Sequence, residues 1–228
     1  MLPGDHRPML QRSFVFMLLT GFALVTAAPL LIAAAPFEST MGLIQKIFYF
    51  HFPAWMVMFL ATAVCGVASI QYLMTRRPSS DRLAAAAAEL AIVFGLIGLI
   101  TGPLWGRKAW GHYWQWDARL TTALVLWLIF VAYSLLRRFG GPGSERLAAG
   151  VGLFGMANVP FVYWSVNLWR TVHPKTSVVR TLDPSMRPAL YWSLFGFLLI
   201  FGALLAARTR LEALRASIDD AYLSAEDL

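Results

Sequence analysis

The chain has 228 residues, 58% of them apolar and only 14% charged, with a formal net charge of +7 and one cysteine. Soluble domains carry roughly 45 to 50% apolar and about 25% charged residues, so a water-soluble fold is excluded. A lone thiol excludes an intrachain disulfide, and the basic balance needs no nucleic acid, because positive loops beside anionic head groups are normal in membrane proteins.

Six apolar blocks follow in chain order, near residues 14–35, 47–74, 83–104, 120–136, 147–166 and 189–207. About 20 residues rising ~1.5 Å each match a hydrocarbon core of about 30 Å. These lengths fit helices rather than the roughly ten-residue alternating strands of a barrel. The first block follows Arg7 and Arg12, as a signal peptide would. It outruns a typical signal core and leads into Pro36 and Phe37, which marks a retained helix. In the second block Cys65 sits mid-span as a small packing side chain. Glu89 lies about two turns into the third and is expected to snorkel to the surface or pair with a neighbour, a structural role. With such short connections the expected fold is all-α and integral to the membrane. Residues 1–228 form one six-helix bundle with antiparallel neighbours and an outer-face tryptophan-rich loop at 105–119.

Six spans put both termini on one side. That side carries Arg7, Arg12, Arg76, Arg77, Arg82, Arg137, Arg138, Arg146, Arg208, Arg210 and Arg215. The other carries Lys46, Arg107, Lys108, Arg119, Arg170, Lys175, Arg180 and Arg187. The bias points to cytoplasmic termini. The many cations on the opposite face are either ordinary loop solubility or the counter-charge of an anionic ligand.

Trp105, Trp110, Trp114 and Trp116 crowd the loop between spans three and four. A single tryptophan there reads as an interfacial anchor. Four of them with Gly102, Gly106, Gly111, Tyr113, Asp117 and Arg119 suggest a platform for a planar apolar ligand. His51, at the end of span two, and His173, between spans five and six, share that face. Neutral imidazole is a common iron ligand, and two could complete the axial coordination of a porphyrin. His112, inside the loop, is a rival, whereas His6 belongs to the other side. Guanidinium forks suit haem propionates, which makes Arg119, Arg180 and Arg187 candidate partners.

The segment Trp110-Gly-His-Tyr-Trp-Gln-Trp-Asp-Ala-Arg-Leu-Thr121 resembles the WWD signature of the haem-handling proteins of cytochrome c maturation. Thr101-Gly-Pro-Leu-Trp-Gly-Arg107, Asn158-Val-Pro160 and the stretch from His173 to Leu182-Asp-Pro-Ser-Met-Arg-Pro188 extend the likeness to the short six-span CcmC family. The resemblance implies a multi-pass protein of the bacterial inner membrane that transiently binds haem b on its periplasmic side and loads the chaperone CcmE, working with CcmA, CcmB and CcmD. It further implies His51 and His173 as axial ligands. Trp110, Trp114, Trp116 and Asp117 become the haem platform and chaperone contact. His112 departs from the usual small or polar residue of the signature and reads as a surface variant.

No nucleophile–base pair, P-loop or dinucleotide fingerprint is present, so no bond-changing chemistry is expected of this chain alone. Three competing readings are weaker. An electron-transfer cytochrome b would bury its histidines mid-span on facing helices. A permease would place polar groups such as Glu89 and Asn158 along a transport path. The haem lyase branch of the WWD superfamily needs extra spans and a sizeable outer domain for which this chain has no room.

Overall fold

The fold, a computed structural model, describes residues 7–175 and 177–226, with side chains described for 12–175 and 177–218. His6 lies outside the described residues. Helix α1 runs Arg7–Ala34, α2 Phe48–Thr75, α3 Pro78–Trp110, α4 Ala118–Phe139, α5 Ser144–Leu168, the short α6 Val178–Thr181 and α7 Arg187–Glu226. Two 3₁₀ turns, Leu43–Ile47 and Pro184–Met186, lead into α2 and α7. Six of these elements are long and apolar enough to cross a membrane: Arg12–Ala34, Leu43–Thr75, Pro78–Trp110, Ala118–Phe139, Ser144–Leu168 and Pro184–Ile218. The chain is therefore an all-α, multi-pass membrane protein.

The helices end where caps and hydration allow rather than where hydropathy falls. Helix α3 continues past Leu104 to Trp110, carrying Arg107 and Lys108 in its last turn, and stops at Gly111, whose φ of +83° closes it. A cation near a helix C-terminus is favourable and a left-handed cap favours glycine, so both features suit this end. Trp105 and Trp110 consequently project from a helix. The connection that remains before α4 is only residues 111–117. Asp117 starts α4 as its N-cap, with Oδ1 accepting from the Leu120 N–H at 2.8 Å.

Helix α2 is the hub, packed against α3, α5 and α7, while α1 lies along α7 and α4 pairs with α5. The central core joins Met58, Ala61, Cys65, Phe94, Leu126, Phe130 and Tyr133, with Cys65 fully buried. A second cluster caps the site end and unites Phe48, Tyr49, Trp105, Leu182, Met186 and Leu190. It fixes the 178–186 segment over the first turn of α2. Glu89 forms a two-pronged pair with Arg208, Nε to Oε2 and Nη2 to Oε1, both at 2.6 Å, at the opposite end of the bundle. That pairing is the structural role expected of it.

Candidate functional site

The site lies where α2, α3 and α4 meet the segment after α5. His51 sits in the first turn of α2 and is buried. Its ring stands edge-on to Trp105, with centroids 5.7 Å apart, and to Trp55 at 6.3 Å. Glycines on α3 allow that depth: a Cβ on Gly98 would fall 2.5 Å from Trp55 Nε1, and one on Gly102 would fall 3.3 Å from His51 Cε1. His173, distant in the chain, comes to the same place, its ring centroid 6.4 Å from that of His51 and its plane tilted by 41°. Each ring is held through Nδ1. His51 Nδ1 lies 2.9 Å from Thr101 Oγ1. His173 Nδ1 lies 2.9 Å from the Pro174 carbonyl oxygen, which can only accept. The proton of neutral His173 is therefore on Nδ1, and Nε2 keeps its lone pair. Burial, aided by the positive charge of Arg119, pushes His173 down to about 4, so the ring is neutral and ligand-competent near neutral pH.

Asp117 reaches the histidine loop with its second oxygen. Beyond capping α4, its Oδ2 accepts from the Thr171 hydroxyl and from the Val172 N–H at 3.2 Å. The acid of the tryptophan-rich segment thereby ties the start of α4 to the residues just before His173. Its carboxylate is spent on positioning that loop.

Two cavities flank the histidine pair and share His51, Trp55, Trp105, Arg119 and His173. The narrower, about 60 Å³, is walled by Trp110, His112, Tyr113 and Trp114, with Trp110 stacked on Trp105 at 6.3 Å and 26°. The wider, about 420 Å³, runs between α2 and α5 past Met56, Phe59 and Tyr163 and is rimmed by Lys175 and Arg180. Among the described residues no carboxylate lines either cavity. The guanidinium of Arg119 donates to the Val162 carbonyl and, among the described residues, has no carboxylate in ion-pair contact. The indole N–H groups of Trp105 and Trp114 are buried without a hydrogen-bond partner among the described residues. A partly buried cation and orphaned donors around a cavity without a described carboxylate suit an anionic ligand.

Of the residues singled out in the sequence, His51, His173, Trp110, Trp114, Arg119 and Arg180 line this pair of cavities. Trp116, at 77% exposure, stands outside with its ring edge-on to Trp114. Arg187 faces away, its Nε donating to the Leu182 carbonyl at 3.0 Å and its Nη2 directed at the Arg180 carbonyl at 3.4 Å. His112 is exposed and borders the narrow cavity. Sequence reasoning passed over Trp55 and Lys175 as site residues. Trp55 reads as span composition, although its place one helical turn after His51 is the signal that could have found it.

The model of the family described as heme exporter protein C matches residues 5–224. The chain belongs to this family. Heme exporter protein C of Bradyrhizobium diazoefficiens is 39% identical over 193 residues, covering 82% of this chain and 73% of the relative. Heme exporter protein C of Escherichia coli K12 is 37% identical over 179 residues, 77% and 73% of the two chains. A ccmC-like mitochondrial protein of Arabidopsis thaliana, described for cytochrome c biosynthesis, is 30% identical over 208 residues, 88% and 78%. As a member of the heme exporter protein C family, the chain is a membrane protein of haem transport and cytochrome c biogenesis.

Proposed function

We propose that this chain holds haem between His51 and His173 at the periplasmic face of the inner membrane, both termini being cytoplasmic, and passes it to the haem chaperone CcmE during cytochrome c maturation. The observation that carries the reading is the 6.4 Å separation of the two imidazole centroids in a tryptophan-walled space that no acid lines among the described residues. A metal held by one nitrogen of each ring at about 2 Å would set the centroids roughly 6 Å apart. Because both cavities border both histidines, a flat ligand between the rings has room on either side.

Haem is cargo here, and the chain makes and breaks no covalent bond of it. The indoles of Trp105, Trp110 and Trp114 offer apolar faces to the macrocycle. Arg119, Lys175 and Arg180 supply cations for its carboxylates, with Arg119 the most buried. Arg187 braces the loop through backbone carbonyls and so acts on the ligand indirectly. Exposed Trp116 and Tyr113 provide an aromatic patch at the rim for a chaperone to cover. His173 sits on a loop and His51 on a helix, which makes His173 the ligand better suited to exchange. CcmA and CcmB supply the ATPase and its membrane partner, and CcmD completes the complex.

Absorption spectra of the detergent-purified protein test the ligand pair. His51→Ala and His173→Ala should each reduce or shift the Soret band, and the double variant should lose nearly all haem per chain. Wild-type haem content in the double variant would remove both ligands from the reading. Terminal reporter fusions should both read cytoplasmic, and haem loading of co-expressed CcmE should fall in Trp116→Ala while protein level holds.

A further inference from the structure

The geometry points to Thr101 as the residue that sets the tautomer of His51, so that Nε2 carries the lone pair a metal needs. This rests on His51 being a haem ligand. The Thr101 hydroxyl has one proton and three neighbours that could take it: the carbonyl oxygens of Ile97 and, more distant at 3.3 Å, of Gly98, and the imidazole Nδ1 of His51. Oγ1 lies 2.7 Å from the Ile97 carbonyl oxygen, one helical turn back, and 2.9 Å from His51 Nδ1. Two oxygens at 2.7 Å without a proton between them would repel. The carbonyl carries no proton of its own, so the hydroxyl must donate to Ile97. What remains on Oγ1 toward His51 is lone pair, and the contact at 2.9 Å is a hydrogen bond only if Nδ1 carries the proton. Neutral His51 then has a bare Nε2.

The reverse arrangement is costlier at each atom. A hydroxyl turned toward an unprotonated Nδ1 would leave the short contact to Ile97 uncompensated. It would also put the imidazole proton on Nε2, where it blocks a metal. In an apolar surround each such mismatch costs a buried group its hydrogen bond. The glycine-lined face of α3 makes the arrangement possible, because Gly102 lets the ring lie against the helix and so within reach of a side chain as short as threonine. The site thus has two differently built supports for one protonation pattern, a helix hydroxyl for His51 and a loop carbonyl for His173. Both leave Nε2 free. Second partners of this kind hold ring orientation and raise ligand basicity.

A threonine that back-bonds to its own helix is common in membrane spans, and a purely structural hydroxyl would behave differently on replacement. Thr101→Val keeps the shape and removes the acceptor. Thr101→Ser keeps the acceptor. The expected result is a loss of haem affinity of about 10-fold or more in Thr101→Val, as is typical for such partners. A midpoint potential shifted positive should accompany it, because a less basic imidazole stabilises ferric iron less. Thr101→Ser should restore both, at equal protein level in all variants. Wild-type affinity and potential in Thr101→Val, alongside haem loss in His51→Ala, would overturn the assignment while leaving the ligand pair standing. Unchanged haem in His51→Ala would remove the ligand reading and this assignment with it.

Discussion

The two ends of the helix bundle handle positive charge in opposite ways. At the end away from the histidines, arginines meet carboxylates: Arg137 with Asp81 at 2.8 Å, Arg208 with Glu89 at 2.6 Å, and both Arg208 and Arg215 with Glu212 at 3.0 Å. Every ion pair among the described residues lies there. At the histidine end, Arg119, Lys175 and Arg180 line a cavity with no acid in its wall among the described residues, and Asp117 is turned to capping and to the Thr171 hydroxyl and the Val172 N–H. A protein keeps a cation near low dielectric only if something compensates it. At one end the compensation is internal. At the other, on the proposed reading, it is left to the ligand, which would make the same residue type structural in one place and functional in the other.

That contrast makes unequal predictions. The largest effect is expected from Arg119→Met. Truncating one partner of a buried charge pair costs about 2 kcal/mol or more, roughly a 30-fold weaker retention of haem, with membrane insertion preserved. An unchanged dissociation rate would mean that haem carboxylates do not meet this guanidinium. A smaller effect, on a different observable, is expected from Glu89→Gln. The Arg208–Glu89 side chains are 21% and 42% exposed, so the pair contributes on the order of 0.2 to 1 kcal/mol. The melting temperature should drop slightly and haem content should hold. Haem loss in that variant would break the division between the two ends.

The smallest effect is expected from mild acid. His173 is pushed down to about 4 by burial, so the ring stays neutral in the fold through the range where an ordinary histidine, near 6.5, takes up its proton. The sign follows. Haem retention should be flat from pH 7 to about 5 and fall only as pH approaches 4, where protonation removes the lone pair. A midpoint near 6.5 in a haem-retention titration would place His173 in solvent.

Much of this was legible in the chain. The six spans follow from apolar blocks alone, because hydropathy reports directly on which segments lipid will accept. The edges of the elements were less so. Arg107 and Lys108 read as the end of hydrophobic sequence, yet a helix continues through them, since its backbone bonds are satisfied as well in the interface as in lipid. The cap in Asp117-Ala-Arg-Leu120 is a local pattern that sequence can supply, whereas the bond from the same carboxylate to Thr171 joins distant segments and leaves no local trace.

By itself the sequence determined the all-helical membrane architecture, the collection of tryptophans, histidines and cations on one face, and the family. Each of these depends on composition and short-range order. Only the tertiary structure decided that two histidines far apart in the chain approach to 6.4 Å, that Arg119 rather than Arg187 turns into the cavity, and that Thr101 reaches an imidazole across a glycine face. Those facts depend on how α2, α3 and the 171–187 segment dock. That docking is set by side-chain packing in three dimensions, on which a linear pattern of apolar blocks is silent.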